Sequence, residues 1–110
     1  MEITETTLPT ATVLALSGRL DGLASPGLDS KIESLFAAGI NRLVLDCAQL
    51  HYVSSAGLRV FLSAAKKAKA AGGRAAFAAL TPVVYEIFEL SGFTGILEIH
   101  PTAAAAAAAG

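Results

Sequence analysis

Two adjacent hydroxyls, Ser54 and Ser55, stand in the part of this chain richest in reactive side chains, Leu45-Asp46-Cys47-Ala48-Gln49-Leu50-His51-Tyr52-Val53-Ser54-Ser55-Ala56-Gly57-Leu58. The pattern reads as the end of a central strand, a loop and the start of a helix, the place where open α/β sheets keep ligand and partner sites. Three chemistries can be weighed there. A serine hydrolase needs a base and an exposed nucleophile, and His51 lies four residues before Ser55. Yet Val53-Ser54-Ser55-Ala56-Gly57 lacks the first glycine of a nucleophile elbow, so His51 reads as a loop residue. Cys47 beside Asp46 suggests a reactive thiol, but a lone cysteine after a buried strand reads as an inert core residue. The third is anion chemistry: free N–H groups and the dipole at a helix start would stabilise a phosphate carried by either serine. A plainer role for either hydroxyl is the N-cap, worth about 1 kcal/mol. Capping leaves Gly57 unexplained, since alanine would be roughly 1 kcal/mol better in a first helical turn. The expectation is that its missing side chain lets another backbone, that of a kinase or other partner, approach the serine.

The elements that must hold these residues follow from periodicity. Ile3 to Thr7 and Thr12 to Ser17 read as two strands paired through Leu8-Pro9-Thr10, and Gly18-Arg19-Leu20-Asp21-Gly22 as a loop at the sheet edge. Ser25-Pro26 combines a capping serine with a proline at the first helical position. Leu28, Ile32, Leu35 and Phe36 then recur at helical spacing up to Gly39, a left-handed stop. Arg42 to Asp46 is a short apolar strand covered on both faces. A second amphipathic helix follows Ser54-Ser55, with Leu58, Phe61, Leu62, Ala65 and Ala68 on its stripe and Gly72-Gly73 at its end. Arg74 to Ala79 gives another strand. Thr81-Pro82 starts a third helix through Val84, Ile87 and Phe88 to Gly92, and Ile96 to Ile99 is the last strand. Strands alternating with helices require right-handed crossovers and a mostly parallel sheet.

A chain of 110 residues accommodates one core. With 54% hydrophobic and 15% charged residues it folds rather than remaining disordered. A net charge of −1 is too small to hold nucleic acid by counterion release. The single cysteine excludes an internal disulfide, and Met1-Glu2-Ile3-Thr4-Glu5 has neither the basic nor the apolar region of a signal peptide, which points to the cytosol. No stretch approaches the ~20 apolar residues of a membrane span. Two histidines and one cysteine far apart make no metal site, and no glycine-rich phosphate loop calls for a nucleotide cofactor. Arg59, Lys66, Lys67, Lys69 and Arg74 form a basic cluster without an acid among them, read as a solvated helix face rather than a docking patch. Residues 101–110 form an alanine-rich tail after a domain of residues 1–100. Seven alanines cannot hold a helix alone, so the tail either packs as a last turn or frays, and packing is favoured.

Gly18-Arg19-Leu20-Asp21, Leu45-Asp46 and Ser54-Ser55-Ala56-Gly57-Leu58 resemble the STAS domain of bacterial anti-sigma factor antagonists, from about Ile3 to Ile99. The resemblance implies a sheet of four to five strands, mixed and mostly parallel, packed with three to four helices. It implies a non-catalytic protein whose partner is both anti-sigma factor and serine kinase. The acceptor it implies is Ser55, with Ser54 as the alternative because many members carry an acid where Ser54 stands. It further implies a partner surface of Asp21, Gly22, Ser54, Ser55, Ala56, Gly57 and Arg59, and Asp46 as a residue shaping the loop beside the acceptor. A phosphate adds about 1.5 to 2 negative charges to a surface that must pack on a partner, so binding should fail when it is present. The alternative is an unphosphorylated STAS accessory subunit of another complex, such as a lipid-transport ATPase assembly.

Overall fold

In the computed structural model, which describes residues 1–109, the chain opens with a hairpin. Strands β1 (Glu2–Thr7) and β2 (Thr12–Leu20) run antiparallel, and the Leu8 N–H donates to the Ala11 carbonyl at 2.9 Å to close the turn. Three crossovers joining parallel strands follow, the connection for which a right hand is the rule. They carry α1 (Ser25–Ala37), β3 (Arg42–Val53), α2 (Ser55–Ala70), β4 (Arg74–Ala78), α3 (Pro82–Leu90), a 3-10 turn (Phe93–Gly95) and β5 (Glu98–His100). The sheet order is β1-β2-β3-β4-β5, with every pair parallel except the first. This is the mixed, mostly parallel α/β sheet that the sequence pattern requires.

The two faces of the sheet are covered differently. On one, α1, α2 and α3 bury Leu28, Ile32, Val60, Phe61, Val84 and Phe88 against Leu14, Leu16, Leu45 and Phe77. The rings of Phe61, Phe77 and Phe88 meet edge-on or tilted, with centroids 4.9 to 5.9 Å apart. The other face carries small side chains, Ala11, Val13, Val44, Ala76 and Ala78, and α4 (Ala103–Ala108) lies on it with Ala106 and Ala107 buried. Six alanines are too few for a stable isolated helix. Packing supplies what length does not: Arg42 and Arg74 both donate to the Ala109 carbonyl, and the Thr102 hydroxyl accepts from the Ala105 N–H at 3.0 Å. Among the described residues no helix is long and apolar enough to cross a membrane.

Several local expectations need correction. Gly18, Arg19 and Leu20 are not a loop at the sheet edge; they continue β2, which lies between β1 and β3. Gly18 takes φ +109° beside a shift in register, a bulge conformation open to glycine, and the strand resumes with Leu20 fully buried. Strand β3 does not stop at Asp46 but continues through Val53, so Cys47, His51 and Tyr52 are strand residues. The helical stripe of α2 is centred on Gly57, Val60, Phe61, Ala64 and Ala68, with Leu58, Leu62 and Ala65 at its margin. The last strand is Glu98–His100 rather than Ile96 to Ile99, because the Ile96 and Leu97 N–H groups bond back to the Phe93 carbonyl of the 3-10 turn Phe93–Gly95.

Candidate functional site

The extra length of β2 and β3 delivers their ends to the same point. Leu20 and Val53 are register partners, and the Ser54 N–H donates to the Leu20 carbonyl at 2.8 Å, fastening the entry of α2 to the end of β2. Ser54 is the N-cap: extended at ψ 171°, it accepts from the Gly57 N–H through Oγ at 3.2 Å. Its carbonyl accepts the Leu58 N–H at 2.9 Å. Ser55 is then the first helical residue and is exposed. The N–H groups of Ser55 and Ala56 have no intrahelical acceptor by position and face the end of the helix, together with the positive end of its dipole.

The β2–α1 turn is built by Asp21. Its Oδ1 accepts from the Leu23 N–H at 3.1 Å and the Ala24 N–H at 2.9 Å, and its carbonyl receives the Ser25 N–H and hydroxyl at 3.0 and 2.6 Å. Ser25 is therefore not the N-cap that the Ser-Pro pair suggests. It is buried, its hydroxyl points back as a donor, and the acceptor work falls to the Asp21 carboxylate one turn earlier. At the third helix, Thr81 holds the cap position but its hydroxyl donates to the Leu50 carbonyl of β3 at 2.8 Å.

Between the two helix starts lies an open groove of about 350 Å³. Gly22, Ser25, Pro26 and Asp29 line it from the α1 side, and Ala56, Arg59, Val60 and Ser63 from the α2 side. Of the residues singled out from the sequence, Gly22, Ala56 and Arg59 line this groove, Ser54 and Ser55 open the helix that carries Ala56, and Asp21 borders a separate hollow with Met1, Gly18, Arg19, Leu23 and Ala24. On the neighbouring strand ends the Arg19 guanidinium lies 4.3 Å above the centre of the Tyr52 ring.

Gly57 does not join that surface. It is buried, and a β-carbon on it would stand 2.8 Å from Leu20 Cγ and 2.9 Å from Val53 Cγ1. Its bare backbone admits the strand ends beneath the helix, not a visiting chain above it. Asp46 is also elsewhere: it lies inside β3, in register with Ala15 and Ala78, and its Oδ1 accepts from the Ala48 N–H at 3.1 Å. Cys47 is fully buried, and burial, reinforced by the Asp46 carboxylate, pushes its thiol up to about 12. The basic cluster does find acids, from other elements: Lys67 pairs with Glu33 of α1, and Arg74 grips Glu98 through Nε at 2.9 Å and Nη2 at 2.7 Å. Two residues beside this end of the sheet have no individual role in the sequence reading, the buried Leu20 and the exposed Leu23. Leu20 prolongs the alternation of Leu14 and Leu16, a signal that was there to be read, whereas the outward pose of Leu23 has no sequence signature.

A family model for the STAS domain matches residues 2–106 of the chain. BtrV of Bordetella bronchiseptica, a protein named as an anti-sigma factor antagonist, is 35% identical over 109 residues, spanning 99% of this chain and 94% of its own. Among solved structures, an anti-sigma factor antagonist from Mycobacterium paratuberculosis superposes with a TM-score of 0.86 at 22% identity, over 96% of this chain and 89% of that one. The Bacillus cell fate determinant SpoIIAA in its phosphorylated form gives 0.75 at 21% identity, over 96% of each chain. These two superpositions establish likeness of fold.

Proposed function

The chain belongs to the STAS domain family, and we propose that within it this protein is an anti-sigma factor antagonist. It acts by binding rather than by turnover, in the cytosol, and sequesters an anti-sigma factor so that the sigma factor is released. The contact surface is the sheet end carrying Asp21, Gly22, Ser54, Ser55, Ala56 and Arg59, with Gly57 shaping it from beneath. Phosphorylation of Ser55 by the partner's serine kinase activity switches the contact off. The name borne by BtrV, at 35% identity over nearly the whole chain, supports the antagonist reading. The phosphorylated state of SpoIIAA supports the switch.

The observation that carries the choice of residue is the division of labour between the serines. Ser54 Oγ is committed to the Gly57 N–H, whereas Ser55 is exposed at the first position of α2. A phosphate there would lie at the helix start, where its charge is tolerated by the fold, and on the face where a partner must be desolvated, where it is not. Incubating the chain with ATP and the candidate anti-sigma factor, then mapping phosphate by mass spectrometry, tests this reading. Modification at Ser55, with Ser55→Ala still forming the complex but remaining unmodified, is the expected result. Phosphate on another residue, or no complex with any anti-sigma factor of the host, overturns it.

A further inference from the structure

Leu23 is the most exposed large apolar side chain of the described residues, 93% accessible at the tip of the β2–α1 turn. Nothing in the fold uses it: neither hydrophobic cluster includes it. Its backbone is nevertheless held firmly. Asp21 Oδ1 accepts from the Leu23 and Ala24 N–H groups, and Ser25, buried behind them, bonds back to the Asp21 carbonyl through both its N–H and its hydroxyl. The turn presents a leucine to water on a fixed backbone, so little backbone freedom remains to be lost when it is covered. Leu23 borders a hollow with Met1, Gly18, Arg19, Asp21 and Ala24, and its neighbour in the turn, Gly22, lines the groove that Ala56, the neighbour of Ser55, closes from the other side.

Resting on the reading above, we infer that Leu23 is the apolar anchor of the antagonist interface and inserts into a leucine-sized apolar hollow on the anti-sigma factor. Interfaces concentrate their affinity in a few such buried anchors, with polar groups at the rim. Asp21 and Arg59 supply that rim here.

The test measures affinity for the anti-sigma factor by calorimetry for four proteins: the wild type, Leu23→Ser, Leu23→Met and Leu90→Ser. Leu90 is a second leucine, 81% exposed on α3, and controls for general loss of surface apolarity. Leu23→Ser is expected to weaken binding on the order of tenfold or more, with Leu23→Met close to the wild type and Leu90→Ser within about twofold. The melting temperature of Leu23→Ser should match the wild type. Wild-type affinity in Leu23→Ser, or an equal loss in Leu90→Ser, overturns the assignment while leaving the antagonist reading intact. A wild type that binds no anti-sigma factor overturns the reading itself, and the anchor with it.

Discussion

Leu20 occupies the space that a side chain at residue 57 would need: Leu20 Cγ lies 2.8 Å from where a β-carbon on Gly57 would stand. The start of α2 is thereby pressed onto the ends of β2 and β3, and the depth of that contact sets the height of Ser55 above the sheet. Gly57→Ala gains helix propensity of roughly 1 kcal/mol but must push aside Leu20 and the stiff β-branched Val53, which costs about 1 to 3 kcal/mol. Overpacking wins, and a net loss of about 1 kcal/mol is expected in urea unfolding. Leu20→Ala alone should cost about 2 to 5 kcal/mol, and the double variant less than the sum, because the alanine at 57 then fills part of the space vacated. Strict additivity would show that the two residues do not compete for one volume.

Ser54 and Ser55 should separate cleanly by substitution. Ser54→Ala removes the acceptor of the Gly57 N–H and is expected to lower stability by about 1 kcal/mol. Ser55→Ala, at an exposed position, should stay within about 0.5 kcal/mol of the wild type. Ser55→Asp places a negative charge at the start of α2 and should raise stability by about 0.3 to 1 kcal/mol at low salt while weakening the partner complex. Opposite signs in fold and binding distinguish a charge switch from simple damage. Chemical denaturation beside a binding titration on the same samples reads both.

How far the sequence discloses this arrangement depends on where strand periodicity is kept. The helices were legible because Leu28, Ile32 and Leu35, and Phe61, Ala64 and Ala68, keep one face of a 3.6-residue repeat. The order of elements followed from them. Strand β3 reads shorter in the sequence than it is because it carries two extra residues relative to β2: Ala15 and Ser17 face Asp46 and Gln49, and Gly18 and Arg19 face Leu50 and Tyr52. Each bulge shifts the inside–outside alternation, so the positions buried beneath the three helices run 43, 45, 47, 50, 53 and imitate a loop. Gly57 stands out in the sequence as a glycine in a first helical turn, but its bare side faces the strand ends and not a partner. Which face a bare glycine turns inward depends on Leu20, which keeps the alternation of Leu14 and Leu16 across the bulge at Gly18.

Cys47 should behave as a silent thiol. With its ionisation pushed from 9.0 to about 12 by burial and then by Asp46, it carries almost no thiolate at neutral pH in the folded state. Ellman's reagent at about pH 8 should label it only at the rate of unfolding, and fully in denaturant. The sign of the linkage is fixed. The unfolded chain releases this proton above about 9 whereas the folded one does not, so stability is complete below 9 and declines as pH rises from 9 towards 12. In Cys47→Ala that alkaline decline should be reduced, although the cavity lowers stability throughout. Rapid labelling of the native protein would contradict the buried position.

Glu98 governs the opposite end of the pH scale. Burial works to raise its carboxyl, but hydrogen bonds from His100 and Arg74, and the charge of Arg74, outweigh burial and hold it below the usual carboxylate range. A depressed carboxylate stabilises the fold above the unfolded value of 4.5, and that contribution disappears as pH falls through the lower folded value. The consequence reaches α4. Arg74 also donates to the Ala109 carbonyl at 3.3 Å, so protonating Glu98 loosens a guanidinium that helps hold the terminal helix. The pairs are partly exposed, which keeps the cost of Glu98→Gln at neutral pH below about 1 kcal/mol. Hydrogen exchange should show residues 103–108 losing protection in the wild type as pH falls below the ordinary carboxylate range, before the strands do, once intrinsic exchange rates are corrected. Glu98→Gln should show the weaker protection already at neutral pH, with a shallower acid dependence of the urea midpoint. An unchanged acid dependence in that variant would assign it to other carboxylates.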